Sequence, residues 1–214
     1  MRGKGTFLML LGTLMILAAG ILTYYNMQES QKAGQLSAQA VQQLHMEVAS
    51  LESSGSENAP EVADPLGIPE ELQPDYIRHP EMEMPTRTVD GQDYVATLVI
   101  PALGLDLPVI SKWSYPALRI APCRYMGSAY TGDLIIMAHN YDRHFGKLKN
   151  LRPDDLVTVT DMDGYVFTYK VVELEELPGT AVEDMELGIW DLTLFTCTYG
   201  GRSRIAVRCD QIEE

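Results

Sequence analysis

Basic residues are scarce in this chain. Its 214 residues include 16 Lys and Arg against 30 Asp and Glu, which gives a formal net charge of -14 at pH 7. A nucleic-acid partner requires a basic surface that releases counterions from phosphates, and nothing in this composition supplies one. The charge balance therefore argues against nucleic-acid binding.

Cysteine is also scarce, with three residues at Cys123, Cys197 and Cys209. Three cysteines are too few for a disulfide scaffold, and in an exported domain an odd number leaves at least one thiol free. Cys123 and Cys209 could form a disulfide, although nothing in the sequence brings the two together. Its position sets Cys197 apart from the other two cysteines, so Cys197 is the candidate for a reactive thiol.

Long hydrophobic runs are limited to residues 6–25, which contain no charged side chain. About twenty apolar residues span a bilayer as one helix. Arg2 and Lys4 precede the run and acidic residues follow it, so the positive-inside rule predicts a cytoplasmic N-terminus and an extracellular remainder. The alternative is a cleaved signal peptide with a small-residue site at residues 17–20. The length of the run and the two tyrosines at its end favour an uncleaved single-pass anchor.

The composition changes three times after this anchor, which we assign to residues 1–25. Residues 26–52 carry a thin series of apolar side chains among Gln, Ala, Ser and Glu, which indicates a helix-prone stalk rather than a partner-binding coiled coil. Residues 53–85 hold six prolines and many acidic residues, which is typical of an extended linker. Residues 86–214 form the remaining domain, and about 130 residues suffice for an ordinary core.

Short runs of strand-forming residues dominate the chain from residue 86. Residues 156–160 and 165–172 flank Asp161-Met-Asp-Gly164, which predicts a β-hairpin. Further strands are expected at residues 94–100, 107–110, 133–138, 192–196 and 204–207. Evenly spaced short strands with little helix between them predict an all-β, closed antiparallel barrel or sandwich. Single helical turns are expected at residues 114–118 and 145–151.

Two reactive side chains follow two of the apolar runs. Cys197 ends one run and His139 ends another, so both are expected at one rim of the barrel. The thiolate is the attacking form of cysteine, and a nearby imidazolium stabilises it and later protonates a leaving amine. A lone histidine at a strand end more often has a surface or capping role. The other histidines, His45, His79 and His144, lie in the stalk, the linker and a loop.

An arginine follows the cysteine after a Gly-Gly turn. Arg204 begins the last strand-forming run, and Arg202 lies in the turn before it. A permanently charged guanidinium binds a substrate carbonyl oxygen well and stabilises the oxyanion that develops on it. The alternative is a surface salt bridge in an acidic protein. Arg204 is the preferred candidate because the strand fixes its backbone, and Arg202 is the second choice.

These residues resemble the sortase family. Leu194-Phe-Thr-Cys197, followed by an arginine that opens the next strand, is similar to the sortase signature, and Ile135-Ile-Met-Ala-His-Asn140 is similar to the sortase histidine motif. The resemblance covers about residues 90–210 and leaves the sortase class open. It implies an all-β fold, a closed eight-stranded sortase-type β-barrel with short helical turns, preceded by an N-terminal transmembrane helix.

The resemblance also implies a cysteine transpeptidase on the outer face of a Gram-positive cell membrane. By analogy, Cys197 attacks the Thr–Gly bond of an LPxTG-like sorting signal on a surface protein or pilin and forms a thioester. His139 acts as general acid and then as general base, and Arg204 stabilises the oxyanion. Thr196 and Asn140 are expected to contact the substrate. The expected acceptor is an amine of a cell-wall precursor or of a pilin.

Two other functions remain open from the sequence. One is a catalytically inactive sortase-fold module that binds sorting signals or wall components, and the other is a cysteine hydrolase of exported peptides. No cofactor is expected. Asp161, Asp163 and residues 173–176 do not form a recognisable set of metal ligands. Asp64-Pro65 resembles the lid of pilus-building sortases, but its aromatic residue is missing and the linker interpretation is preferred.

Overall fold

A computed structural model describes residues 3–54 and 73–212 of the chain. The first element is one continuous helix, α1 (Gly3–Ser54). Its segment Phe7–Met46 is long and apolar enough to cross a membrane, and the most apolar window is not buried against the rest of the chain. The predicted anchor and stalk thus share one helix, and the boundary between them stays a prediction. Most of the predicted linker, including Asp64-Pro65, lies outside the described residues.

Nine β-strands and several short helices lie within residues 73–212. The strands are β1 (Arg87–Val89), β2 (Gln92–Ile100), β3 (Leu105–Ile110), β4 (Cys123–Met126), β5 (Leu134–Ala138), β6 (Leu156–Asp161), β7 (Val166–Pro178), β8 (Leu192–Cys197) and β9 (Ser203–Gln211). The short α-helices are α2 (Asp75–Arg78), α3 (Tyr115–Leu118) and α4 (Val182–Met185). Two 3₁₀ helices span Pro101–Leu103 and Phe145–Asn150.

Eight of these strands close into a barrel. The order around the ring is β2-β3-β4-β5-β8-β9-β7-β6, and β6 pairs back onto β2. The short strand β1 stays outside the ring and forms a hairpin with β2. Neighbours in the ring are antiparallel except for β3 with β4 and β5 with β8, which run parallel. The expected closed eight-stranded barrel is confirmed.

The hydrophobic core fills the barrel, and the strands alternate between its inside and its outside. In β8, Leu192 and Leu194 face the core, whereas Phe195 packs on the outer face with Ile135 and Ala206. Met185 of α4 covers this outer patch. Because the wall formed by β5, β8 and β9 is covered on both faces, apolar side chains can follow one another along its strands, as they do throughout β5.

The predicted hairpin is formed by β6 and β7, which pair antiparallel. Its turn is held by Asp161, whose Oδ1 accepts hydrogen bonds from the backbone N–H groups of Asp163 and Tyr165, both at 2.9 Å. The other oxygen, Oδ2, accepts from the hydroxyl of Tyr130 at 2.5 Å. These bonds give Asp161 a structural role in the turn.

The later part of α1 packs against the barrel. One face of the helix, with small or aliphatic side chains three or four positions apart, is buried: Ala33, Ser37, Ala40, Val41 and Leu44. Side chains at such spacings lie on one side of a helix. Leu44 joins a hydrophobic cluster with Tyr94 and Ile110. The stalk region is therefore in direct contact with the domain it precedes.

Candidate active site

The three cysteines are free, and they differ in accessibility. Cys123 and Cys209 are buried, and burial raises the pKa of each thiol to about 12. Both therefore remain thiols at neutral pH and are poor nucleophiles. They belong to different hydrophobic clusters, and the disulfide considered from the sequence does not form. Cys197 is only partly buried, so it is the thiol that a substrate can reach.

Cys197 and Arg204 face each other across the ladder between β8 and β9. Directly paired residues of two strands project from the same face of a sheet. The Nη1 atom of Arg204 donates hydrogen bonds to the carbonyl oxygens of Gly201, at 3.0 Å, and Ser203, at 3.1 Å. The guanidinium is thus held at the turn that follows the cysteine. The second candidate, Arg202, lies within this turn and is exposed.

His139 directly follows β5, the parallel neighbour of β8. The last paired residues of these two strands are Ala138 and Thr196, so His139 and Cys197 each come one position later. The Thr196 hydroxyl donates to the Ala138 carbonyl oxygen at 2.8 Å. The backbone N–H of Phe145 donates to the His139 carbonyl oxygen at 3.2 Å. The backbone around His139 is therefore fixed beside the end of β8.

The imidazole of His139 is partly buried and packs against Tyr141, with ring centroids 5.0 Å apart. Burial lowers the pKa of His139, and the positive charge of Arg119, at the end of α3, lowers it further. The neutral imidazole is accordingly favoured at neutral pH. Such a group is ready to accept a proton, whereas its protonated form is the minor one.

A cavity of about 230 Å³ opens beside Cys197. Its wall includes Asn140, Phe145, Glu176, Thr196, Tyr199 and Ile205. The structure therefore brings three of the predicted site residues, Cys197, Thr196 and Asn140, to one cavity. His139, Arg204 and Arg202 do not line it. Glu176 was not predicted as a site residue; its carboxylate accepts a hydrogen bond from the Ser203 hydroxyl at 2.5 Å.

A larger cavity of about 650 Å³ lies on the outer face of the barrel beside β4, with Trp113 and Tyr125 in its wall. Tyr125 packs edge to face on Phe195, with centroids 5.5 Å apart, and Trp113 lies 6.0 Å from Tyr125. Phe195 precedes Cys197 by two positions in β8, so both side chains leave the strand on the same side. Aromatic side chains therefore lead from the larger cavity towards the thiol.

A buried arginine fastens the connection between β7 and β8 over this outer face. Arg208 is 1% exposed, and its Nε donates to the carboxylate of Glu175 at 2.8 Å. Its Nη1 donates to the Thr193 hydroxyl at 3.1 Å, and its Nη2 donates to the Asp184 carbonyl oxygen at 2.5 Å. The Tyr125 hydroxyl donates to the carboxylate of Glu186 at 2.7 Å. These bonds hold α4 against the wall that carries Cys197.

The domain is a closed β-barrel with a partly exposed thiol at the end of strand β8, and this thiol marks a candidate active site. The family model described as Sortase domain matches residues 98–212, which is more than half of the chain. The chain therefore belongs to the sortase family. Family membership supports transpeptidase activity for this chain, and α1 is long and apolar enough to serve as its membrane anchor.

Several solved sortase structures have a similar fold. A Clostridium perfringens sortase D5 transpeptidase is 19% identical with a TM-score of 0.52, over 69% of this chain and 91% of that chain. Sortase A from Corynebacterium diphtheriae is 17% identical with a TM-score of 0.52, over 92% and 96%. Sortase C-1 from Actinomyces oris is 20% identical with a TM-score of 0.50, over 81% and 99%. No curated protein sequence matches the chain. At these identities the structural likeness shows the fold alone.

Proposed function

We propose that the chain is a membrane-anchored sortase that uses Cys197 as the nucleophile of a transpeptidation. The observation that supports this most directly is the position of Cys197, a partly exposed free thiol at the end of β8 that is paired with Arg204 of β9. Cys197 and His139 also each follow the last paired residue of two neighbouring parallel strands, β8 and β5. A nucleophile, an acid–base group and a cation at one edge of a barrel are the components of an acyl-transfer site.

In the first half of the proposed reaction, the Cys197 thiolate attacks the Thr–Gly carbonyl carbon of an LPxTG-like sorting signal. As the carbon–sulfur bond of a thioester forms, the carbon–nitrogen bond breaks, and protonated His139 gives its proton to the leaving glycine amine. In the second half, an incoming amine attacks the thioester. Neutral His139 accepts a proton from that amine, and Cys197 leaves as the thiolate.

Arg204 stabilises the oxyanion in this proposal. Its guanidinium already has two neutral carbonyl acceptors at the β8–β9 turn. An oxyanion is a stronger acceptor for this donor than a neutral carbonyl oxygen, because its negative charge is attracted to the positive charge of the guanidinium. The transition state therefore gains more from Arg204 than the bound substrate does, which is the condition for catalysis.

We assign the sorting signal to the outer face, along the aromatic side chains that lead from the larger cavity to Cys197. Thr196 and Asn140 contact the substrate from the smaller cavity beside the thiol. The donor is a surface protein or a pilin that carries the signal, and the acceptor is an amine of a cell-wall precursor or of a pilin.

The proposed location is the cell membrane of a Gram-positive bacterium, with one span, a cytoplasmic N-terminus and an extracellular catalytic domain. The apolar length of α1 supports a span. The basic residues Arg2 and Lys4 before the apolar run support this orientation, since basic residues are retained on the cytoplasmic side.

The test uses the full chain in detergent micelles with LPxTG-type peptides, with and without an amine acceptor, beside Cys197→Ala. Ligation that requires the amine and disappears in Cys197→Ala is the expected result. Peptide binding without cleavage would instead identify an inactive binding module. Cleavage that does not respond to the amine would identify a cysteine hydrolase.

A further inference from the structure

Helix α1 reaches the segment that follows His139 through a buried hydrogen bond. The hydroxyl of Ser37 donates to the Ile120 carbonyl oxygen at 2.8 Å, and its Oγ lies 3.1 Å from Nε2 of His144. Ser37 and His144 are both 0% exposed. Since the single hydroxyl proton of Ser37 is used on Ile120, Oγ accepts from Nε2–H of His144. The contact therefore assigns the tautomer of His144.

His144 is a neutral side chain, and the Ser37 hydroxyl is its side-chain hydrogen-bond partner. Burial lowers the pKa of His144 to about 4, an effect that the backbone of Ala33 partly opposes and the charge of His139 reinforces. Its Nδ1 has no hydrogen-bond partner among the described residues. A buried polar ring with an unpaired nitrogen costs free energy. The position of the His144 ring therefore depends on its contacts with α1, which include the hydrogen bond to Ser37.

We define residues 140–144 as the histidine loop. Within it, the backbone N–H of His144 donates to the Tyr141 carbonyl oxygen at 2.9 Å. The ring of Tyr141 lies 5.6 Å from that of His144 and 5.0 Å from that of His139. Tyr141 therefore packs against both imidazoles and provides a route of direct contact from His144 to His139.

Helix α1 also touches the histidine loop one turn before Ser37. A Cβ atom added at Gly34 would lie 2.7 Å from Cγ and 2.8 Å from Cβ of Arg143. These two atoms are close to the backbone of Arg143, so a side chain at position 34 would push the loop itself. The helix and the loop thus meet at two consecutive points.

We propose that Ser37 and His144 are positioning residues for His139: the membrane-proximal part of α1 holds the histidine loop and through Tyr141 sets the orientation of the His139 imidazole. This inference rests on the proposed function, in which His139 transfers protons. In this proposal α1 positions a catalytic side chain in addition to anchoring the domain.

The test compares steady-state kinetics of the full chain in detergent micelles for Ser37→Ala and Gln39→Ala. Gln39 lies on the same helix and is exposed, so its variant is the matched control. We expect a fall of roughly ten-fold in kcat for Ser37→Ala with little change in KM, because small misplacement of a catalytic group slows the chemical step and leaves substrate binding intact. A purely structural role would lower the melting temperature and leave kcat of the folded protein unchanged.

A second pair of variants keeps the test decisive if Ser37→Ala does not fold. Gly34→Ala should lower kcat in the same way, whereas Gly20→Ala, where an added Cβ meets nothing within 4 Å, should not. Normal kcat in Ser37→Ala or in Gly34→Ala, beside an inactive Cys197→Ala, would overturn this inference and leave the proposed function intact. Activity that survives Cys197→Ala would overturn the proposed function and with it this inference.

Discussion

Cys197 and Arg204 are direct partners across the β8–β9 ladder, yet the guanidinium of Arg204 donates to the carbonyl oxygens of Gly201 and Ser203. The same hydrogen bonds hold the guanidinium at the turn that follows the cysteine. In the proposed reaction, a substrate oxygen competes with these two backbone acceptors for the guanidinium.

The two arginines near Cys197 should differ sharply in their contribution. We expect Arg204→Ala to lower kcat/KM by roughly 10²–10³, the usual loss when an oxyanion donor is removed. Arg202→Ala should stay within about three-fold of the parent, because exposed arginines of this kind make weak contributions. Peptide ligation kinetics measure both. Equal losses in the two variants would remove the assignment to Arg204.

The pH dependence should report the lowered pKa of His139. The proposed reaction needs a thiolate and an imidazolium at the same time, so the plot of activity against pH should be bell-shaped. The acid form of His139 is the minor one at neutral pH, and the height of the bell reflects the fraction of molecules in which both forms coexist. Arg119 lowers the pKa of His139, so Arg119→Gln should raise that pKa. The limb of the kcat/KM profile that His139 controls then moves to higher pH. An unmoved profile, or a rate of the parent still rising well above pH 10, would contradict the role of His139.

Thr196 connects the ends of β5 and β8. Thr196→Val keeps the shape of the side chain but removes the hydroxyl that donates to the buried Ala138 carbonyl oxygen at 2.8 Å. We expect a loss of about 1–2 kcal/mol in the free energy of unfolding and a lower kcat. Thr196→Ser retains the hydroxyl and should restore most of both. Denaturant titration and ligation rates provide the measurements, and a Ser variant as impaired as the Val variant would argue against the hydrogen bond.

Arg208 should contribute far more to stability than an exposed ion pair. Arg208→Met removes the donors to Glu175, Thr193 and Asp184. We expect the free energy of unfolding to fall by about 3 kcal/mol, which is at the low end for buried ion pairs because Glu175 is partly exposed. The control, Lys170→Met, breaks an exposed pair with Asp154 and should cost less than about 1 kcal/mol. Urea unfolding monitored by tryptophan fluorescence distinguishes the two. Similar losses would mean that the buried network carries little stability.

The barrel was predictable because most of its strands carry their own pattern. The apolar run of β5 and the hairpin of β6 and β7 are legible in the sequence. The strands β1 and β4 were not predicted, since each has only three or four residues and mixes polar with apolar side chains. In β4, Cys123 pairs with Ile110 of β3 on one side and with Met137 of β5 on the other. Such strands exist because their neighbours offer hydrogen bonds, which local composition does not reveal.

The candidate site was predictable only in part, because local composition does not reveal contacts between residues that are distant in the sequence. Cys197 and His139 stand out because they are reactive residues at the ends of apolar runs. The contact of Ser37 with His144 joins residues 107 positions apart, and no local pattern indicates it. The sequence also gave no sign that Arg119 lowers the pKa of His139, because the two meet only in the folded barrel.

The thioester on Cys197 is the central claim, and intact-mass spectrometry tests it most directly. The full chain is mixed with an LPxTG-type peptide without amine and quenched in acid, beside Cys197→Ala and the buried-thiol control Cys209→Ala. We expect the parent and Cys209→Ala to gain the mass of the acyl fragment and to lose it on treatment with hydroxylamine, whereas Cys197→Ala gains nothing. An adduct that persists in Cys197→Ala would contradict the account.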